Sequence, residues 1–251
     1  MQHAYRPDLM DKVVLVTGGS RGLGREMALA MAAAGAHVIV ASRDIEACRA
    51  VAAEVEELNR SALPYSCHVG RWNDLDGLVE ASYDRFGRVD VLINYAGKSP
   101  PYPSLTEVNE AMYDSVVGLN LKGPFRLSVL VGTRMFEGAG GTIVNISSIA
   151  SLRPRADVVP YAAAKAGLNA TTVALAHAFA PKVRVNAIVP GAFRTDISRH
   201  WTPEFAAGLA SQAALGRLGE PSEIVGAALF LAGGASSFTT GALLPVDGGA
   251  V

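Results

Sequence analysis

The sequence predicts an α/β protein: a single doubly wound parallel sheet of about seven strands with helices on both faces. Three observations carry that prediction. Short apolar runs such as Val13-Val-Leu-Val-Thr17 recur along the chain, and strands apolar on both faces belong to sheets covered on both sides. Longer stretches with apolar residues at helical spacing separate these runs. A glycine-rich turn, Gly18-Gly-Ser-Arg-Gly-Leu-Gly24, links the first run to the first helical stretch, as in sheets that bind ligands beyond the carboxyl ends of their strands.

Taken in order, residues 12–17 form strand one and residues 25–34 an Ala-rich helix that Gly35 ends. Residues 37–41 form strand two. Asp44 caps a helix to about Asn59. Residues 63–67 are strand three. Asn73 or Asp74 caps the next helix, which runs to Phe86 and is closed by Gly87, and residues 89–94 are strand four. Residues 98–105 carry three prolines and read as a loop. A helix from about Asn109 to Phe136 should break near Gly123-Pro124, where proline lacks the donor a helix needs. Residues 142–147 are strand five. A helix through Tyr161 runs to about Phe179, ahead of Pro181, and residues 183–189 are strand six. Residues 190–195 turn sharply, residues 198–214 are helical, Pro221 starts a helix to Ala232, and residues 242–246 are the last strand. No linker or internal repeat interrupts this alternation, so residues 1–251 are expected to form one domain.

Composition narrows the function. The formal net charge is −1, from 22 basic and 23 acidic residues, without the basic surplus that nucleic acid or an anionic membrane would require. Arg6, Asp8 and Asp11 interrupt any apolar leader, and glycines, serines, threonines and a proline break the uncharged stretch 224–246 into helix, turn and strand. The five histidines, at 3, 37, 68, 177 and 200, show no metal-ligand spacing. Cys48 and Cys67 match neither a redox motif nor a disulfide framework, so a reduced, cytoplasmic setting is expected.

The chemistry concentrates in two places. In the glycine-rich turn, Gly18 permits a tight bend. Gly22 and Gly24 allow backbone approach and close helix packing. The free N–H groups at the helix start, beside Ser20, Arg21 and Leu23, suit a pyrophosphate. At the end of strand two an acidic residue would bind a ribose 2′-hydroxyl. Ser42 and Arg43 stand there instead, and Arg43, with Arg21, suits a 2′-phosphate. The expected cofactor is therefore NADP(H); Asp44, slightly late in sequence, leaves NAD(H) open.

The second place is the stretch from Ser148 to Lys165. Tyr161 and Lys165 are four apart in an Ala-rich helix and share one face. Pro160 suits the helix start. A phenol titrates near ~10 in water, and an ammonium one turn away favours its ionised form. Ser148, at the end of a strand, can hold a substrate oxygen beside the phenol. The set suits proton exchange with a carbonyl or carbinol oxygen.

These motifs, in this order and spacing, resemble the short-chain dehydrogenase/reductases over essentially the whole chain. The matching pieces are Thr17-Gly-x-x-x-Gly-x-Gly24, Asn94-x-Ala96-Gly97, Asn120, Ser148, Tyr161-x-x-x-Lys165, Arg184-Val-Asn-Ala-Ile-Val-Pro190-Gly191 and Val246-Asp-Gly-Gly249. The resemblance implies a Rossmann-like fold and assigns roles. Tyr161 would be the general acid/base, and Lys165 would lower its pKa and bind the nicotinamide ribose. Ser148 would orient the substrate carbonyl, and Asn120 would hold a water that relays protons. Cofactor contacts would extend to Asn94, Ala96, Gly97, Pro190, Gly191, Phe193 and Thr195. The C-terminal Val246-Asp-Gly-Gly249 would lie near a subunit interface of a dimer or tetramer.

Two positions depart from the family pattern. Tyr95 replaces a usual Asn that braces the sheet. His68, followed by Val69, replaces a usual Asp that meets the adenine amine; Cys67-His-Val-Gly70 looks like the variant in some NADPH-dependent carbonyl reductases. The implied activity is reversible reduction of a ketone or aldehyde to the alcohol. The substrate, a small molecule, would be framed by residues 98–105, 151–159 and 193–213, including Tyr102, Leu152, Arg153, Arg155, Phe193, His200, Trp201 and Phe205. The rival readings are a non-catalytic dinucleotide sensor on the same scaffold, an NAD-dependent alcohol dehydrogenase and, on topology alone, a methyl transferase, against which Ser42 speaks. Asn186, Asp247 and His177 read as structural residues.

Overall fold

A computed structural model describes residues 9–195, 198 and 201–250. Its centre is one seven-stranded sheet in the order β3-β2-β1-β4-β5-β6-β7. The strands are β1 (Val13–Thr17), β2 (His37–Ser42), β3 (Ala62–Ser66), β4 (Val91–Asn94), β5 (Gly141–Ile146), β6 (Val183–Pro190) and β7 (Leu243–Val246), and every neighbouring pair is parallel. The helices are α1 (Gly22–Ala33), α2 (Ile45–Glu57), α3 (Asp74–Phe86), α4 (Glu110–Val117), α5 (Gly123–Glu137), α6 (Val159–Ala178), α7 (Pro203–Ser211) and α8 (Val225–Ala232).

Alternation along β1 sends side chains to two cores. Val14 and Val16 pack with Met27 and Met31 of α1, Val51 and Val55 of α2 and Leu231 of α8. Val13 and Leu15 pack on the other face with Leu75 and Leu78 of α3, Leu127 and Val131 of α5 and Leu175 of α6. Leu15 is fully buried. A buried side chain of that size contributes about 1.5–3 kcal/mol. A polar substitution anywhere along β1 would therefore disturb one layer or the other.

Local signals set the element ends. The Asp44 carboxylate caps α2 by accepting from the N–H groups of Glu46 and Ala47. Gly87 closes α3 at φ 72°, where a side chain would be strained. Asn73 precedes α3 without a side-chain cap. The expected break at Gly123-Pro124 takes another form. Pro124 has no N–H for the carbonyl four residues back, and the chain answers with a π turn over Gly118–Lys122 that joins α4 to α5. Before the last helices, α7 occupies only Pro203–Ser211, because Thr202 caps it by accepting from the Phe205 N–H. A shorter turn, Pro221–Ile224, precedes α8.

β1 lies between β2 and β4, so the strand order reverses there. Connections leave β1 and β4 toward opposite layers and open a crevice at the carboxyl ends.

Candidate active site

One cleft of about 1870 Å³ occupies that crevice. Single drug-sized ligands fill about 300–1,000 Å³, so the cleft has room for a dinucleotide and a substrate side by side. Its floor at β1 is the glycine-rich turn. Gly18 and Gly22 adopt φ of 69° and 54°. A Cβ on Gly24 would stand 2.2 Å from the Gly18 carbonyl oxygen, so α1 can approach the turn only with glycine there. Arg21 precedes α1 without a side-chain cap, and the first turn of α1 holds no acidic residue. The free N–H groups there fit an anionic pyrophosphate, by hydrogen bonding and by the helix dipole.

Of the residues singled out from sequence, Gly18, Ser20, Arg21 and Leu23 line this end of the cleft, followed by Ser42, Arg43 and Val69. Ala96 and Gly97 continue the wall toward Ser148, Tyr161 and Lys165. Pro190, Gly191, Phe193 and Thr195 close the opposite side. Gly22, Gly24, His68, Asn94 and Asn120 are not on the wall. Gly22 and Gly24 shape the turn behind it. The His68 ring folds back, its Nδ1 accepting from the Gly70 N–H at 3.2 Å. Asn94 is buried in the sheet, where its Nδ2 donates to Ser128 and to Asn145 at 2.9 Å each.

Tyr95 supports the glycine-rich turn from below: a Cβ on Gly24 would meet its ring at 2.6 Å, and one on Gly18 at 3.0 Å. Asp44 also lines the cleft beside Ser42 and Arg43, and its Oδ1 caps α2 by accepting from the N–H groups of Glu46 and Ala47. Among the described residues Arg21 and Arg43 have no carboxylate partner.

The reactive end is built by β5 and α6. Ser148 lies two residues past β5, and its Oγ accepts from the Ala150 N–H at 3.2 Å. Tyr161 is the third residue of α6. Burial pushes its phenol up from 10.0, and a hydrogen bond with Ser148 pulls it partly back. Lys165 is 3 % exposed. Its Nζ donates to the Ile146 carbonyl at 2.7 Å and stands 5.8 Å from the Tyr161 ring centroid. Burial draws its pKa from 10.5 down to about 7. The sequence led us to expect the amine to lower the phenol; in the folded protein desolvation is the larger effect on both groups.

Asn120 sits in the π turn, fully buried. Its Nδ2 donates to the carbonyls of Lys98 and Val116, at 2.8 and 2.9 Å, and its Oδ1 accepts from the Lys98 N–H at 3.3 Å. The side chain thus clasps the loop after β4. A Cβ on Gly97 would be 2.6 Å from Asn120 Oδ1 and 3.7 Å from Lys165 Nζ. Only glycine lets loop, amide and amine converge.

Sequence reasoning missed the polar network behind Ser148. Asn169 Nδ2 donates to Ser151 Oγ at 2.8 Å, and Ser151 donates to the Ser148 carbonyl at 2.6 Å. Asn169 lies one turn beyond Lys165, so the helical repeat that paired Tyr161 with Lys165 would have reached it.

Asn186 and Asp247 act structurally: Asn186 holds the chain entering β7 through Thr239 and Ala242, and Asp247 accepts from the Gly249 N–H. His200 lies outside the described residues. Both thiols are buried, and burial pushes Cys67 up to about 12. Among the described residues no cluster of three or more potential ligands could hold a metal ion, and no helix is long and apolar enough to cross a membrane.

A glycine-rich anion cradle at the switch point of a parallel sheet, sharing one cleft with a hydroxyl, a phenol and a buried amine, is the layout of a dinucleotide-binding oxidoreductase. Comparison with known proteins agrees. A family model described as enoyl-(acyl carrier protein) reductase matches residues 18–251. The chain is 34% identical over 242 residues to 7α-hydroxysteroid dehydrogenase of Escherichia coli K12, covering 96% of this chain and 94% of that one. It is 34% identical over 244 residues to the 3-oxoacyl-[acyl-carrier-protein] reductase FabG of Thermotoga maritima, covering 97% and 99%. A solved structure of 7α-hydroxysteroid dehydrogenase complexed with NADH and 7-oxo glycochenodeoxycholic acid superposes with a TM-score of 0.94 at 33% identity, covering 100% and 98%. The chain belongs to the short-chain dehydrogenase/reductase family of oxidoreductases.

Proposed function

We propose that the protein reduces a ketone or aldehyde to the corresponding alcohol, reversibly and with NADP(H) as the preferred cofactor. The observation that carries this reading is the Tyr161 phenol on the wall of the cleft that begins at the glycine-rich turn, together with Ser148 and with the buried Lys165 one helical turn away. A nicotinamide, when bound, would supply or accept the hydride.

The chain's own residues do the rest. Ser148 and the Tyr161 hydroxyl hold the substrate oxygen. Burial keeps the phenol protonated, so Tyr161 is in the form needed to give a proton to that oxygen during reduction. Lys165, when charged, stabilises the phenolate left behind and donates to ribose hydroxyls. Asn120 acts from behind through the loop it clasps, and its main chain can hold a relaying water.

The preference for NADP(H) rests on Arg43 and Arg21, two cations beside Ser42 at the ribose end, neither engaged by a carboxylate among the described residues. The rival NAD(H) reading draws on the NADH bound in the related structure. The part of the cleft beyond the dinucleotide, framed by Tyr102, Arg155, Trp201 and Phe205, suits a medium-sized, partly apolar carbonyl compound. Self-association into a dimer or tetramer is supported by fully exposed Phe238 and by Leu215, 67% exposed, on the side of the edge strand β7. Two buried free thiols suit a reducing, cytoplasmic setting.

The test is a panel of ketones and aldehydes with NADPH and NADH, followed by loss of reduced-nicotinamide absorbance, alongside Tyr161→Phe. Turnover by the wild type, cut at least about a hundredfold in the variant with dinucleotide binding retained, is expected. A fully active variant would refute Tyr161 as the proton donor. Binding of dinucleotide with no turnover on any carbonyl would favour a sensor.

A further inference from the structure

We propose that Tyr102 is a positioning residue for Tyr161: its hydroxyl clamps the first turn of α6 to the loop after β4. The inference rests on the role given above to Tyr161. α6 starts at Val159, and Val158 before it provides no side-chain cap; its first turn holds no acidic residue either. The first N–H groups of a helix have no partner within it. One of them is met from 57 residues away. Tyr102 Oη accepts from the Val159 N–H at 2.8 Å and donates to the Ala156 carbonyl at 2.8 Å. The phenol therefore bridges the short turn Ala156–Val158 and the first residue of α6, two positions ahead of Tyr161.

The arm that carries this clamp is stiff. Pro100, Pro101 and Pro103 surround Tyr102. Proline fixes its own φ and holds the preceding residue extended, so little freedom is lost when the hydroxyl docks. The root of the arm is the Lys98 backbone held by Asn120. The clamped segment is gripped from its other side as well. Arg155 pairs with Asp157, and its guanidinium stands 5.8 Å from the ring centroid of Phe205 in α7, against which Trp201 packs edge-on. Three cleft-lining segments thus meet on the residues leading into Tyr161. A misplacement of the reacting group by about 1 Å can cost about a hundredfold in rate, so the start of α6 is a place where one hydroxyl can matter.

The test is Tyr102→Phe, which removes the hydroxyl and keeps the ring. Amide hydrogen exchange is measured on the cofactor-free protein. Residues 162–165 donate one turn back into the start of α6, so their amides report its fraying, and exchange at least about fivefold faster is expected there, with the sheet unchanged. On any carbonyl compound that the wild type reduces, kcat should fall about tenfold while KM for the dinucleotide stays within about twofold. Exchange altered at Val159 alone, or an unchanged kcat, overturns the proposal. The exchange arm needs no turnover, so it decides the clamp even if the reductase reading fails.

Discussion

Replacing Lys165 with methionine should make the cofactor-free protein more stable at neutral pH and less stable at high pH. The native state holds the amine at a pKa of about 7, against 10.5 for a lysine amine in water. At about 1.36 kcal/mol for each pH unit, this difference corresponds to about 5 kcal/mol. The unfolded chain binds the extra proton between pH 7 and 10.5, so wild-type stability rises through that window. Below pH 7 both states are protonated and the full penalty applies. Methionine fills the aliphatic stem but leaves the Ile146 carbonyl without its donor, a loss of about 1–3 kcal/mol. The net gain at pH 6–7 is then about 2–4 kcal/mol, or about 4–16 °C in Tm for a domain of this size. Above pH 10.5 the charge penalty is gone and only the lost hydrogen bond remains, so the variant should be the less stable of the two. Urea unfolding of both proteins from pH 6 to 10.5 measures the difference directly. A stability difference that stays constant across that range would show that the amine is not held neutral by burial, and the reasoning would fail.

Other substitutions probe the cradle, the loop and the frame. Arg43→Ala should raise KM for NADPH about 10- to 100-fold, the worth of one charge-assisted hydrogen bond, and leave KM for NADH nearly unchanged; an equal effect on both would remove the 2′-phosphate assignment. Gly97→Ala pushes a methyl to within 2.6 Å of Asn120 Oδ1, so kcat/KM should drop at least about tenfold with the far-UV spectrum intact. Asp90→Ala leaves the buried Val13 N–H without its acceptor, at the end of β1 away from the cleft. The urea midpoint should fall by the equivalent of about 1–3 kcal/mol while kcat holds; a matching loss of kcat would place Asp90 in the catalytic machinery.

The parts of the molecule written in local code were legible from the chain. Val13-Val-Leu-Val-Thr17 followed by glycines leaves little choice but a strand and a tight turn, and Tyr161 and Lys165 share a face because helices repeat every 3.6 residues. What escaped depends on partners far away in sequence. Gly123-Pro124 announced a break but not its form as a π turn over Gly118–Lys122, nor that Asn120 within it would hold Lys98, 22 residues earlier. His68 has the right position to meet an adenine, yet its nearest donor is its own loop at Gly70, and a side chain that can bond locally often does. Tyr102 read as one aromatic in a proline-rich loop. Its two hydrogen bonds lie more than fifty residues away.

The site also carries a conflict that the fold must sustain. The amine is buried and the phenol is partly buried on the cleft wall, and desolvation drives each toward its neutral form. For the phenol this is useful, since reduction requires a proton to give. For the amine it is a cost, because a neutral lysine neither stabilises a phenolate nor attracts a ribose hydroxyl as strongly as a charged one. The Ile146 carbonyl, 2.7 Å away, orients the amine in either form but cannot restore its charge. Charge on Lys165 must therefore be sustained by developing negative charge on the neighbouring oxygen. The two titrations are then coupled, and the proton that leaves Tyr161 is the event that favours a protonated Lys165. Sequence spacing alone suggests an ammonium that prepares a phenolate in advance. In the proposed reduction the buried amine favours the opposite order: Tyr161 gives its proton to the substrate oxygen, and the phenolate left behind then favours uptake of a second proton, from solvent, by Lys165.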